Sequence, residues 1–258
     1  HRGEDSQETY FDKLNNFFIA FNRLAIVDLD PRSNQPMKYT YKNKSIIGMM
    51  NGEIYNYKEL KRELINDGYS FNTDSDTEVF LAFILARGIN SLNKINGIFG
   101  AFIFDEFNKK LFLIRDQIGV KPIYYIKNNP MYNFVFASEI KAFKPFIDLR
   151  PSTKELSEFC CFGETSSTKT IYENIYQIEP GHYLELSLNE PKKLKNVQYF
   201  SLIELYNNTF NKESTFLENT NSFHNNLVEH INMQLNIDVA FGVEFSGGLD
   251  SSLLTSLL

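Results

Sequence analysis

Phe99-Gly100-Ala101-Phe102-Ile103-Phe104, then Asp105-Glu106-Phe107-Asn108-Lys109-Lys110, then Leu111-Phe112-Leu113-Ile114: two apolar runs flank a mostly polar connector. Short apolar runs rich in aromatic and branched side chains are strand signals, and a short polar link between two of them makes a hairpin. Ile123 to Ile126 and Phe134 to Phe136 continue the pattern, so 97–138 reads as an antiparallel meander, with a short helix over 138–143. Upstream, residues 17–29 read as a buried strand ending at Asp30-Pro31, and Ile46 to Met50 as a second strand that turns at Asn51-Gly52-Glu53. Two helical stretches lie between. One runs over Lys58 to Asp67, with Leu60, Leu64 and Ile65 at helical spacing before Gly68; the other runs from Asp76, read as its N-cap, through Val79, Phe80, Phe83 and Ile84 to Gly88. Strands grouped around helices, rather than alternating with them, predict a layered α+β domain over the first ~190 residues.

The composition is that of a globular protein. The 258-residue chain carries 26 Lys+Arg against 32 Asp+Glu, a net charge of −6. A nucleic-acid binder needs a basic face, and a membrane span needs ~18 apolar residues in a row; the sequence offers neither. Its two cysteines, Cys160 and Cys161, are adjacent, so they cannot staple distant segments, and a reducing cytoplasmic setting fits. They lie in an apolar segment and are expected in the core. His1, His182, His224 and His230 are too dispersed for a metal site and are expected on the surface. Downstream, 191–213 reads as a linker (Pro191, several Lys and Asn), 222–233 as an amphipathic helix, and 239–245 as a buried strand. The Leu253-Leu254 to Leu257-Leu258 pattern runs on without a helix stop, and no initiator Met opens the sequence, so the chain is expected to be an internal piece of a longer protein.

Between that last strand and helix stands Ser246-Gly247-Gly248-Leu249-Asp250-Ser251-Ser252. Two glycines let successive N–H groups turn into one cavity, a helix N-terminus adds partial positive charge, and hydroxyls add donors: a phosphate loop. Asp250 would be repelled by bare phosphate, which points to a bridging Mg²⁺. The plain alternative is a Gly-Gly turn with a helix cap. A second constellation combines Arg23 to Asp28, Asn51-Gly52-Glu53 and Ser75-Asp76. It offers an arginine for a carboxylate, an amide and a turn N–H for an oxyanion, and two carboxylates for an ammonium group, the inventory for gripping an amino acid and cleaving its side-chain amide. Taken singly, these residues also read as a strand-end ion pair, a hairpin turn and a helix cap.

Together with His1-Arg2-Gly3, Gln35-Pro36-Met37, Arg115-Asp116, Gly119, Lys121-Pro122, Tyr124-Tyr125, Phe136 to Ala142 and Pro180-Gly181, these motifs resemble, over nearly the whole chain, the glutamine-dependent asparagine synthetases. The resemblance implies an N-terminal-nucleophile hydrolase fold, a four-layer αββα sandwich forming a class II glutamine amidotransferase domain over 1–190. The linker 191–213 and the first elements of an α/β ATP pyrophosphatase domain over 214–258 would follow. It implies that Arg23 holds the glutamine α-carboxylate, with Leu24, Ala25, Ile26 and Val27 lining the pocket. Asn51 and the Gly52 N–H would form the oxyanion hole, worth about 3–4 kcal/mol per donor. Glu53 and Asp76 would receive the α-ammonium. Ser246, Gly247, Gly248, Ser251 and Ser252 would cradle the pyrophosphate of ATP, with Asp250 on Mg²⁺ and Phe245 near the nucleotide. Glutamine, aspartate and ATP are then the expected ligands, and a homodimer an expected assembly. Arg115, Asp116 and Lys121 are expected to position loops, not to react.

The departures are also specific. The family's nucleophile is an N-terminal cysteine whose own amine serves as base; here residue 1 is His, so the chain by itself is expected to be inert in glutamine hydrolysis. Glu4 stands where the family has Pro, Ala240 where it has Pro, and Glu244 in a normally apolar strand. Alternatives within the resemblance are amidation of another carboxylate and a β-lactam-synthetase-like enzyme with a degenerate glutaminase domain. Sugar or phosphoribosyl chemistry is disfavoured by the 246–252 loop.

Overall fold

A computed structural model describes residues 1–127, 129, 131–166, 168–209 and 215–258. In chain order come β1 (Ser6–Asp12), β2 (Phe17–Arg23), β3 (Met37–Tyr41), β4 (Lys44–Ile54), α1 (Tyr57–Asn66), α2 (Asp76–Arg87), β5 (Gly97–Asp105), β6 (Lys110–Arg115), β7 (Tyr124–Lys127) and β8 (Phe134–Ala137). After a 3-10 turn at Ile140–Phe143 follow α3 (Thr153–Phe162), β9 (Tyr176–Gln177), β10 (His182–Ser187), β11 (Leu194–Gln198), α4 (Leu202–Thr209), α5 (Phe216–Gln234) and α6 (Leu249–Leu257). The main sheet is antiparallel, in the order β11-β10-β6-β5-β4-β3, with β1-β2 and β8-β7-β9 as smaller sheets.

The layers follow from the two-residue period of the strands. Ile46 and Met50 of β4, Phe99, Ala101 and Ile103 of β5, and Phe112 and Ile114 of β6 join one core with Val79 to Ile84 of α2 and Leu60 and Leu64 of α1. Their neighbours Ile47, Phe102, Phe104 and Leu113 point the other way, into a second core with Ile19 of β2 and Tyr125 of β7. Beyond that second β layer the alternation repeats. Phe134 and Phe136 of β8 face the second core, while Val135, Ala137 and Ile126 face Phe143 and Ile175 in a third. Helix, sheet, sheet and a thin outer helical layer therefore stack in that order, the four-layer arrangement expected.

Several local expectations are corrected. The strand read over 17–29 ends at Arg23, because the chain reverses into a loop in which Asp28 takes a left-handed φ of 55°. Asn51-Gly52-Glu53 is not a turn: β4 runs on to Ile54, each residue backed by β5 down to Ile54 opposite Gly97. Ser75, not Asp76, caps α2, its hydroxyl accepting from the Thr77 N–H at 3.1 Å. Cys160 and Cys161 are exposed, because α3 buries none of its residues. His182 is only partly exposed, its Nδ1 lying 2.8 Å from the Pro180 carbonyl oxygen. Residues 239–245 form no strand and lie exposed, since among the described residues none pairs with them. The stretch expected as a linker contains β11, which closes the main sheet against β10, and α4; its residues 210–213 lie outside the described ones. Among the described residues no helix is long and apolar enough to cross a membrane.

Candidate functional site

The end of β4 meets the start of α2, and glycine makes the meeting possible. Gly52 has φ 143°, and a Cβ there would lie 1.9 Å from the Ile98 carbonyl oxygen; a Cβ on Gly97 would lie 2.3 Å from that of Glu53. Two glycines on facing strands thus let the backbones close up beside Glu53. Across this junction the Asp76 carboxylate, buried in the first turn of α2, accepts the Ile54 N–H at 2.9 Å. Burial pushes Asp76 up to about 6, against the pull of its bonds to the Ile54 and Thr77 N–H groups, and the negative field of Glu53 pushes it the same way. Burial also raises Glu53, an effect eased by the Lys121 ammonium. Two carboxylates thus share one partly dry site, each harder to ionise than usual.

The 24–34 loop lies beside this junction, tied to it through Asp28 and Asp74. Arg23 is buried, and its guanidinium reaches into the loop. Nη1 donates to the Asp30 carbonyl at 3.3 Å and to Asn34 Oδ1 at 3.1 Å, while Nη2 donates to the Val27 carbonyl at 3.2 Å and to that of Asp28. Those four bonds use the four Nη–H groups. In this conformation Arg23 is the loop's internal brace, not the open fork expected for a carboxylate; a ligand would have to displace carbonyls to engage it bidentately. Leu24 is exposed, Ala25 donates its N–H to Asp5 Oδ2 at 2.7 Å, Ile26 is partly buried and Val27 is buried. Asp28 accepts from Asp30 N–H (3.0 Å), the Ser33 hydroxyl (2.6 Å) and Asp74 N–H (2.8 Å). Burial raises the Asp28 carboxyl, but those three bonds outweigh it and hold the group below the usual carboxylate range. The bond from Asp74 fastens the loop to the residues just ahead of Ser75 and Asp76.

The Arg115-Asp116 pair holds the turn that carries Lys121. Asp116 is fully buried and accepts the N–H groups of Ile118 (3.2 Å), Gly119 (2.6 Å), Val120 (3.0 Å), Lys121 (2.9 Å) and Phe99 (3.3 Å). Arg115 donates to the Ile178 and Gly119 carbonyls, both at 2.6 Å. This network fixes the 117–121 turn and with it Lys121, the cation that acts on Glu53.

The 246–252 loop opens α6 and is tied by hydrogen bonds made within it. Gly247 has φ 76°, Gly248 caps the helix, and the Ser251 and Ser252 hydroxyls donate back to the Gly248 carbonyl at 3.1 and 2.7 Å. Ser246 Oγ lies 3.0 Å from Ser251 Oγ. Asp250 is in the helix's first turn, and Phe245 is exposed. Helix N–H groups and hydroxyls suit a polyphosphate. Asp250 is the loop's one carboxylate, and among the described residues no group of three potential metal-ligating side chains assembles.

A family model for the glutamine amidotransferase domain matches residues 1–200, the stretch that contains both smaller sheets, the main sheet and the β4–α2 junction. The chain belongs to the glutamine amidotransferase family. The chain is 34% identical over 260 residues to asparagine synthetase (glutamine-hydrolyzing) 2 of Bacillus subtilis strain 168, covering 98% of the chain and 34% of that protein. It is 34% identical to asparagine synthetase (glutamine-hydrolyzing) 3 of the same strain (99% and 40%), and 30% identical to the amidase chry2 of Gibberella zeae (100% and 37%). The chain therefore spans about a third to two-fifths of the length of these curated relatives. Among solved structures it is similar to a glutamine phosphoribosylpyrophosphate amidotransferase from Bacillus subtilis, at a TM-score of 0.49 and 25% identity over 72% of this chain and 35% of that one.

Sequence reading brought Glu53, Asp76 and Lys121 to notice. It missed Asp74 and Ser33, which anchor Asp28, and Asp238, whose carboxylate accepts the Asp28 N–H at 2.8 Å from 210 residues away. The bond from the Asp30 N–H to the Asp28 carboxylate is an Asx turn that the local sequence could have signalled; nothing local signals Asp238.

Proposed function

We propose that this domain binds free glutamine and releases its side-chain nitrogen, and that the parent protein uses the nitrogen to amidate aspartate activated by ATP with Mg²⁺. The observation that carries the reading is the pairing of Glu53 with Asp76. Two carboxylates in one desolvated site call for positive charge. Lys121 offsets part of it at Glu53, no cation among the described residues acts in the same way on buried Asp76, and an amino acid's α-ammonium would supply the rest. With the ammonium so placed, the Arg23-braced loop would face the α-carboxylate, and the Asn51 amide and the Gly52 N–H would meet the oxyanion formed when the side-chain amide is attacked. Residues of this chain thus bind, orient and polarise. The thiol that attacks is not one of them, Cys160 and Cys161 lying on exposed α3.

Aspartate as acceptor is supported by the similarity to glutamine-hydrolyzing asparagine synthetases. The second reading, another carboxylate as acceptor, rests only on the relatives not all bearing the asparagine synthetase name: one, 30% identical over the whole chain, is named an amidase. The 246–252 loop would hold the ATP phosphates, with Asp250 toward the metal. Isothermal titration of the chain with glutamine tests the central claim. We expect saturable binding that Glu53→Gln weakens and that glutaramate, which is glutamine without its α-ammonium, does not compete. Equal binding of glutamine and glutaramate overturns the assignment of Glu53 and Asp76.

A further inference from the structure

Arg23 braces the 24–34 loop from inside; a second grip comes from the far end of the chain. Past the end of α5, the Asp238 N–H donates to the Ile26 carbonyl at 3.0 Å, and Asp238 Oδ2 accepts the Asp28 N–H at 2.8 Å. The two bonds bracket Val27 as a neighbouring strand would, with the side-chain carboxylate standing in for a strand carbonyl. Ile237 beside it packs on the core between the main sheet and α1 and α2, and the Lys58 ammonium of α1 donates to Asn236 Oδ1 at 2.8 Å. The tripeptide 236–238 is therefore seated, not merely adjacent. Its bond falls on Asp28, the residue with the left-handed φ, whose carboxylate holds Asp74 and so the start of α2. The Val27 carbonyl between the two bonds is itself an acceptor for Arg23 Nη2.

We propose that Asp238 is a positioning residue for the glutamine pocket: it fixes the 26–28 backbone from outside, so that the loop Arg23 organises is preformed when the amino acid arrives. The inference rests on the reading of this loop as a pocket wall, and goes beyond it by assigning the pocket's order to a residue outside the stretch matched by the amidotransferase family model. A loop held in its bound geometry loses less entropy on binding than one that must be ordered first.

The test compares Asp238→Ala, which removes the acceptor, with Asp238→Asn, whose amide oxygen can still accept the Asp28 N–H. Glutamine affinity is measured by calorimetry, and amide hydrogen exchange is followed in peptides covering 24–34. Asp238→Ala should weaken glutamine about two- to tenfold, the equivalent of one hydrogen bond, and speed exchange at Asp28. Asp238→Asn should restore both to near the parent values. Both variants should melt within a few degrees of the parent, which separates local order from general damage. Unchanged affinity and exchange in Asp238→Ala overturns the proposal, as does equal loss in the two variants. A parent chain that binds no glutamine but protects the Asp28 amide refutes the pocket, and with it Asp238's service to it, while leaving the clamp itself in evidence.

Discussion

Asp76→Asn should make the protein more stable and a poorer binder at once. Asp76 is buried, and its carboxyl is pushed from 3.8 up to about 6 by loss of solvent, with Glu53 adding to the push. Between those two values the folded state keeps a proton that the unfolded chain has released, so stability falls as pH rises. At about 1.4 kcal/mol per pH unit, the gap corresponds to ~3 kcal/mol, fully felt above pH 6 and absent below pH 4. An asparagine carries no charge to desolvate, and its oxygen still accepts the Ile54 N–H. At pH 8 the variant should therefore exceed the parent by about 2–3 kcal/mol, or roughly 4–12 °C in melting temperature for a chain of this size. The advantage should shrink as pH falls through 6 and vanish near 4. Glutamine affinity should drop at least tenfold, since a hydrogen bond to a charged group is worth about 1.5–3 kcal/mol. Thermal denaturation across pH 4–8, with titration calorimetry at pH 8, reads both. An Asp76→Asn variant less stable than the parent at pH 8 refutes the desolvation argument; one that binds glutamine normally refutes the ammonium site.

Gly52→Ala places a Cβ against the Ile98 carbonyl in a backbone conformation that L side chains rarely adopt, so urea denaturation should show a loss of about 3 kcal/mol or more. Arg23→Lys keeps the charge but cannot hold four acceptors at once; glutamine affinity should fall at least tenfold and amide exchange over 24–34 should rise. Cys160 and Cys161 should both react with a thiol reagent in the native protein, and a need for denaturant would contradict their exposure on α3. Glutamine should bind more tightly as pH rises through about 6, because Asp76 must lose its proton to meet an ammonium; titrations at pH 5 and 7.5 that agree would count against this.

Read alone, the amino-acid order determined the meander, the two helices between the strand groups and the residue types of the site, because those signals are local: a two-residue or 3.6-residue period, a glycine stop, a cluster of polar types beside an apolar run. It misjudged Asn51-Gly52-Glu53 as a turn because nothing near it reveals that β5 continues alongside and that Gly97 clears room for the Glu53 carbonyl. It placed Cys160 and Cys161 in the core because an apolar segment reads the same whether or not anything covers it. It gave Arg23 an open fork because the loop carbonyls that occupy the guanidinium are invisible until the chain folds back on itself. Tertiary structure alone brought Glu53 beside Asp76, set Lys121 through Asp116 and laid Asp238 against Asp28. The first and last join segments far apart in sequence, Asp116 ties its own local turn to Phe99 of β5, and burial, the cause of the raised Asp76 carboxyl, is a property of the whole packed molecule and of no short segment.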